Sequence, residues 1–496
     1  MPPGHSGSSF LRHLVVDAIA AFPSVFADVK VPPGSKMFKK RYRDVLSRFE
    51  AARTNAPERA EIARFLARAC HDAMVFAPEG DPGAAIPLQQ HIAEPPATLA
   101  PLVTRALKGP IGLFPEVPFD GRTYRGAELL TLGDEMAGRH LLNAAAHKGL
   151  SWIANHVVSA GGTLDLRGRK FAILGAGAEL APTEALLRAG ATVLWVDVAD
   201  PDKSLGRRVK LDHLAGEIVT CADARDLLTQ PREIAAAIRQ FADGAPVDIG
   251  LFAYAPGKGR EIRISTAMNA IVRALDQAIV KSVSLYISPT TPAVVQAEEL
   301  EGAAALKARN PAWRKALERV RALNGPGYHK VGSSTVARSV VSLQGPGYQA
   351  AQYIAKVAAG ETYAVFGLDW DVAAKDGKPV TVSANIAGIT NTRSLEHPLF
   401  QAGFLMAPRF SMHIFEAATT RTLNGLLMLR DVLDPEGPGA AAFNAKTSQE
   451  KAAAALSQQV HGGIYAMPWD LEATIRVAAV LGMARKPKFL FKTITG

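Results

Sequence analysis

Two glycines and an aspartate twenty residues further on are the residues whose types and spacing imply the most chemistry in this chain. Gly175, Gly177 and Asp197 belong to the run KFAILGAGAELAPTEALLRAGATVLWVD, Lys170 to Asp197. An apolar strand, Phe171–Leu174, enters the turn Gly175-Ala176-Gly177. An alanine- and leucine-rich helix follows, closed by Gly190, and a second apolar strand, Thr192–Val196, ends on Asp197. Strand, glycine turn, helix, strand and terminal acid form the opening βαβ unit of a dinucleotide-binding fold. Glycines allow close backbone approach to a pyrophosphate, and a helix N-terminus offers unpaired N–H groups and positive dipole to meet it. An acid at Asp197 would accept hydrogen bonds from the adenosine ribose hydroxyls. It argues for NAD over NADP, because a 2′-phosphate would meet a like charge. The third glycine of a GxGxxG pattern would fall at Leu180 and is missing. An ordinary βα turn that binds nothing, and a Rossmann-like unit for S-adenosylmethionine, therefore stay open.

These residues need a parallel sheet to carry them. Apolar runs of strand length occur at Phe171–Leu174, Thr192–Val196, Glu217–Cys221, Asp248–Tyr254, Ser282–Ser288 and Val380–Ala387, with helical stretches such as Pro231–Phe241 and Ser265–Val280 between them. Regular βα alternation predicts an α/β fold: a Rossmann-like doubly wound parallel sheet with helical N-terminal and C-terminal additions. The expected division is a helical region over 1–160, a dinucleotide-binding region over 161–396 and a helical lid or substrate region over 397–496. A charged stretch at about 294–343, centred on EELEGAAALKARNPAWRKALERVRALNG, reads as a helical insertion. In the first region Asp44–Val75 and Glu128–Ser159 have apolar residues at helical spacing, and proline-rich Gly80–Pro118 reads as loop. No motif there carries chemistry, so that region reads as a cap on the nucleotide domain or a surface for self-association.

Further candidates follow the later strands. Cys221-Ala222-Asp223 ends the third strand on an acid, and VDIGLFAYAPG forms the fourth strand and its turn. ISTAMNAIVRAL holds Asn269 on a helix, and SVSLYIS closes the fifth strand on Ser288. GPGYQAAQYIAK sets Tyr348 four residues before Gln352, and TVSANIAGITNTRS carries Gly388 and Thr392. In this order the segments resemble the short-chain dehydrogenase/reductase superfamily in a divergent form, over roughly Lys170–Leu395 less the insertion. The resemblance implies Asp223 near the adenine, Asn269 in a proton relay, Ser288 on a substrate carbonyl and Tyr348 as proton donor. It also implies that Gly388 and Thr392 flank the nicotinamide.

The departures are specific. Glu179 and Ala181 stand where later glycines are expected, the asparagine turn after the fourth strand is missing, and Ala387 replaces a proline. Most consequential, Gln352 stands where the family has a lysine one helical turn after its tyrosine. An ammonium there lowers the phenol pKa and holds the nicotinamide ribose; an amide can bond a ribose but brings no charge. Lys356, two turns on, is one substitute within reach of the same site, although eight α-helical residues rotate it about 80° off that face. Tyr254-Ala-Pro-Gly-Lys258 repeats the YxxxK spacing, but its Pro-Gly makes it a loop, with Lys258 as a second substitute for the absent lysine. Another GPGY ends on Tyr328. Plain structural readings stand beside these roles: Asn269 as a bridging amide, Ser288 as a strand end before Pro289, and Tyr348 as helix packing. His397, His413 and the aromatic and methionine-rich stretch from Phe400 to Met412 fall where the family builds its substrate lid.

Composition narrows the rest. A 496-residue chain with 48% hydrophobic and 21% charged residues can bury large cores and is no solvating, disordered polymer. The net charge of +10 favours anionic ligands. Zinc-ligand spacing, an aromatic stacking platform and a basic recognition helix are all missing, so nucleic acid is not expected as a partner. No HExxH or similar pattern calls for a metal. Two cysteines do not make a disulfide scaffold, which points to a reducing, cytoplasmic setting. The apolar run Leu14–Phe26 is broken by Asp17 and Pro23 and reads as a helix rather than a signal peptide, and no apolar span is long enough for a membrane. The basic tail RKPKFLFKTITG would make at most a weak peripheral membrane contact. The expectation is an NAD(P)-dependent oxidoreductase, a homo-oligomer, interconverting an alcohol and a carbonyl on a bulky apolar small molecule. Alternatives are a lyase or isomerase using tightly held NAD transiently, and a catalytically silent nucleotide-binding module.

Overall fold

The computed structural model describes residues 6–78, 81–257 and 259–489. Lys258 and the last residues of the basic tail, two of the candidates above, lie outside the described residues. Seven strands make the central sheet: β1 (Val103–Ala106), β2 (Lys170–Leu174), β3 (Thr192–Val196), β4 (Glu217–Thr220), β5 (Val247–Leu251), β6 (Val280–Ile287) and β7 (Thr381–Ile386). Their order is β7-β6-β5-β2-β3-β4-β1. All neighbours pair in parallel except β1, which runs antiparallel to β4. Counted from β2, the parallel strands follow the 3-2-1-4-5-6 order of doubly wound α/β folds.

The strands are near-continuous apolar runs because both faces of the sheet are covered. Side chains alternate between two cores. Ala172, Leu174, Leu194 and Val196 face a core shared with the helices Gly7–Ala21, Gly34–Asn55 and Arg59–Asp72. Phe171, Ile173, Val193 and Trp195 face the other, with the helices Glu128–Gly138, Ala144–Ser159 and Ala417–Leu433. Period-two alternation along β2 and β3 thus assigns each residue to a layer.

The six strands read from sequence are present with ends shifted by a few residues; other elements correct the reading. Strand β1 lies inside Gly80–Pro118, expected as loop. Its four residues are exposed, so only pairing with the β4 edge makes it a strand. The expected long helices break in two. Pro57 separates Gly34–Asn55 from Arg59–Asp72, and Glu128–Ser159 is interrupted where His140 takes φ 53° and Asn143 caps the next helix, accepting from the Ala146 N–H at 3.0 Å. The 294–343 excursion is only partly helical: after Ala297–Ala308 and Ala312–Arg319 it forms an antiparallel hairpin of Tyr328–Val331 with Ser334–Ala337.

The segment bearing Tyr348 departs furthest from expectation. After a short helix, Gly345–Gln349, the chain forms a π-helix over Ala350–Ala358 and returns to α-helix at Ala359–Phe366. All nine π-helical residues are buried. Side chains from other elements hold this segment. Asn269 Nδ2 donates to the Ala355 carbonyl at 2.6 Å, and its Oδ1 accepts from the Tyr363 hydroxyl at 2.9 Å. The Tyr353 hydroxyl donates to Glu50 in a cluster centred on fully buried Arg53. Arg53 bonds Glu50 at 2.7 Å and Glu361 at 2.7 Å, and Arg59 bonds Glu361 at 2.7 Å. Two guanidiniums against two carboxylates leave no net charge in this apolar setting, the condition for burying such groups.

Candidate active site

Strand register levels the carboxyl edge of the sheet. Leu174 pairs with both Val196 and Leu251, and Ile287 pairs with Ile386. The residues that follow these strands, Gly175, Asp197, Phe252, Ser288 and Ala387, all open onto one cavity of about 850 Å³. It lies at the switch point between β2 and β5, where doubly wound sheets bind ligands.

On one side stands the glycine turn. Gly175 has φ 89°, and a Cβ there would lie 2.3 Å from the Ala253 nitrogen. Only glycine lets the chain leaving β5 pass this closely. A Cβ on Gly177 would lie 2.9 Å from Ser204 Oγ and 3.2 Å from Asp197 Oδ2. The Gly177 N–H donates to Asp197 Oδ2 at 2.9 Å, and the Ala199 N–H donates to Oδ1 at 2.8 Å. Asp197 is thereby fixed at the cavity wall with further acceptor capacity on each oxygen. Three arginines surround the turn. Arg208 Nη2 donates to the Gly177 and Ala178 carbonyls at 2.9 and 3.1 Å, and Arg421 Nη1 to the Glu179 carbonyl at 3.2 Å. Arg393 comes from the segment after β7 and meets the Glu179 carboxylate. Burial, then the nearby Arg421 charge, lowers the Arg208 guanidinium pKa, and its Nη1 is buried without a partner.

On the other side are the hydroxyls and the lysine. Ser288 Oγ and Thr290 Oγ1 are 2.8 Å apart, and Thr290 donates to Gln344 Oε1 at 2.7 Å. Burial pushes the Tyr348 phenol above its ordinary pKa, against hydrogen bonds from Ser288 and Thr290 that pull it down. Tyr254 packs edge-on to Tyr348, with ring centroids 6.1 Å apart. Gln352 accepts from the Ser288 N–H at 3.1 Å, so it holds the end of β6. Lys356 also lines the cavity, 8% exposed, donating to the Tyr286 carbonyl at 2.8 Å. Burial lowers its pKa to about 8. The π-helix explains its position. With i→i+5 bonding a turn takes more residues, so the chain from Ala350 onward rotates less per residue than an α-helix and offsets most of the overshoot between Tyr348 and Lys356. Tyr348, Gln352 and Lys356 consequently open on the same space.

Of the residues singled out from sequence, Gly175, Gly177, Asp197, Ser288, Tyr348, Gln352, Gly388 and Thr392 all line this cavity. Gly388 also has a packing reason, since a Cβ there would meet the Phe415 ring at 2.3 Å. Asn269 and Asp223 are not on the wall. Asn269 serves the π-helix as described, and Asp223 accepts from the Ala100 N–H at 2.8 Å. The position beside Asp197 is taken instead by Arg225, two residues beyond Asp223, whose Nη2 donates to the Val198 carbonyl at 2.7 Å. Sequence reasoning missed Arg225, Thr290 and Arg393 and set Lys356 off the face; a basic residue just past a strand-ending acid was the signal for Arg225. Phe400 alone of the aromatic and methionine stretch from Phe400 to Met412 reaches the cavity. His397 caps the Pro398–Met406 helix, and His413 bonds Arg139. Tyr328 donates to the Tyr465 carbonyl at 2.8 Å, away from the site. Both cysteines are buried and free. Among the described residues no cluster of three or more His, Cys, Asp or Glu could hold a metal ion, and no helix is long and apolar enough to cross a membrane.

No protein-family model matches the chain, and no curated protein matches it.

Proposed function

We propose that the chain is an NAD(P)-dependent oxidoreductase of divergent short-chain type, interconverting an alcohol and a carbonyl. One observation carries this reading: a single cavity, at the carboxyl edge of a 3-2-1-4-5-6 sheet, has the glycine turn and Asp197 on one side and Ser288, Tyr348 and Lys356 on the other. Its volume of about 850 Å³ lies in the range of cofactor and ligand pockets, about 300–1,000 Å³. The donor set suits a dinucleotide. Asp197 would take the adenosine ribose hydroxyls, Arg393 would face the diphosphate with Arg208 behind the turn, and Lys356 would reach the second ribose. When bound, a reduced nicotinamide supplies the hydride. The Ser288 hydroxyl donates to the substrate carbonyl oxygen, and the Tyr348 O–H passes it a proton as charge develops there. The Lys356 ammonium favours the tyrosinate left behind, and solvent returns the proton. Gln352 positions Ser288 instead of supplying charge. Apolar Ile264, Leu343, Ile389 and Phe400 also line the cavity and fit a bulky apolar substrate.

Titration with NADH and NADPH, read by nucleotide fluorescence, tests the reading. Saturable binding with NADH preferred supports it; binding of neither, with S-adenosylmethionine binding instead, replaces it with the other Rossmann-type ligand. NAD that survives purification without net hydride transfer would favour the lyase or isomerase alternative, because Gln352 brings no charge where the family has lysine.

A further inference from the structure

The glycine turn is already balanced by carboxylates of the chain itself. Its Gly177 N–H, one of the donors such a turn offers to a diphosphate, is given to Asp197 at 2.9 Å. Glu179 then stands in the turn where the family resemblance expects a glycine. Its Oε2 accepts from the Arg393 backbone N–H at 3.3 Å and lies 3.6 Å from Arg393 Nε. The two residues belong to different walls of the cavity, Glu179 to the turn after β2 and Arg393 to the segment after β7, and both line it. The Arg421 guanidinium bonds the Glu179 carbonyl, and Arg208 beneath the turn keeps one buried nitrogen unpartnered. A cationic surround therefore exists, and Glu179 is the side chain that fills it from within.

We propose that Glu179 is an internal counter-anion, latched to Arg393 across the cavity, which the diphosphate of an incoming dinucleotide must displace. The ligand class rests on the functional reading above. The Glu179 carboxylate, held beside the turn by Arg393, repels a diphosphate approaching the turn's N–H groups. The pair can open, because the Glu179 side chain is 25% exposed and that of Arg393 62% exposed. Such a pair tunes affinity instead of blocking binding. Its opening frees Arg393 for the phosphates. Arg393 also leads into the helix that brings Phe400 to the cavity, so the exchange ties the substrate wall to the bound ligand.

The experiment compares wild type with Glu179→Gln, Arg393→Gln and the double variant, by calorimetric titration with inorganic pyrophosphate and by fluorescence titration with NADH and NADPH. Glu179→Gln should tighten binding of pyrophosphate and nucleotide by roughly fivefold at low salt, a gain that shrinks as salt screens the charges. Arg393→Gln should weaken both, and the double variant should show that the two effects do not add. Unchanged or weaker pyrophosphate binding by Glu179→Gln overturns the proposal. Tighter pyrophosphate binding with no binding of either nucleotide upholds the latch and removes the dinucleotide reading, so the two fail separately.

Discussion

On the glycine-turn side of the cavity, Gly175, Gly177 and Asp197 come from one continuous βαβ segment; on the opposite side Ser288 follows β6, and a long excursion separates it from Tyr348 on the helix Gly345–Gln349 and Lys356 on the π-helix. The first side is shaped by neighbours in sequence, with Gly177 bonded to Asp197 twenty positions away. The second depends on distant elements. Asn269 bonds the Ala355 carbonyl, and Tyr353 is tied to Glu50 and Arg53 on the N-terminal helices. The glycine-turn half can thus be recognised from a short window of residues, whereas the half with Ser288, Tyr348 and Lys356 exists only once the whole chain is folded.

Variants test that contrast, and the largest effect is expected at Tyr348. Tyr348→Phe should lower kcat/KM by roughly 10²–10⁴-fold, the usual worth of a general acid, while NADH affinity stays within about twofold. Parallel loss of both would mean that the halves are not separable. Next comes the buried cluster. Arg53→Met leaves Glu50 without a cationic partner and Glu361 with Arg59 alone, and should cost roughly 3–5 kcal/mol in denaturant unfolding. The milder Tyr353→Phe should keep the fold and reduce turnover more than nucleotide affinity; an equal effect on each would break the comparison.

A smaller effect is expected at Lys356. Its pKa of about 8 means that the ammonium is present below that pH and lost as pH rises through it. Turnover should fall across that window, and Lys356→Gln should lower the plateau by about tenfold and abolish the alkaline limb. A limb that persists in the variant would assign it to another group. The smallest effect belongs to Asp197→Ala, which should weaken NADH about fivefold by removing the ribose acceptor. It should improve NADPH relative to NADH, because Arg225 then faces the ribose alone. Unaltered NADH affinity would detach Asp197 from the nucleotide.

The same contrast explains what could be read from residue order. Strands β2 to β7 were legible because apolar runs buried on both faces leave a strong pattern, and the turn with Asp197 was legible because its parts are adjacent. Strand β1 was not, since VTRA is exposed and owes its form to the edge of β4. Asp223 reads as the adenine-side residue because an acid at a strand end fits the resemblance, while the fold turns that acid toward the Ala100 N–H and brings Arg225 to the cavity. Gln352 was legible as a departure, though not its bond to the Ser288 N–H. Against Lys356 stands only α-helical arithmetic, which this chain does not obey.

That π-helix bears on how related chains would be compared. Motifs on helices are written as fixed intervals, and an interval such as Y-x-x-x-K assumes that every relative winds its helix alike. Where the winding is wider, the functional partner of a tyrosine is found at another interval, and a gap-free comparison pairs the lysine with a residue of unrelated duty. Removing Val357 or Ala358, just beyond Lys356, should restore ordinary winding and turn Lys356 about 80° from the Tyr348 face, although the composition of the segment would scarcely change. The reading frame of this site is therefore set by hydrogen-bond pitch, and insertions or deletions of one residue would matter more there than most substitutions.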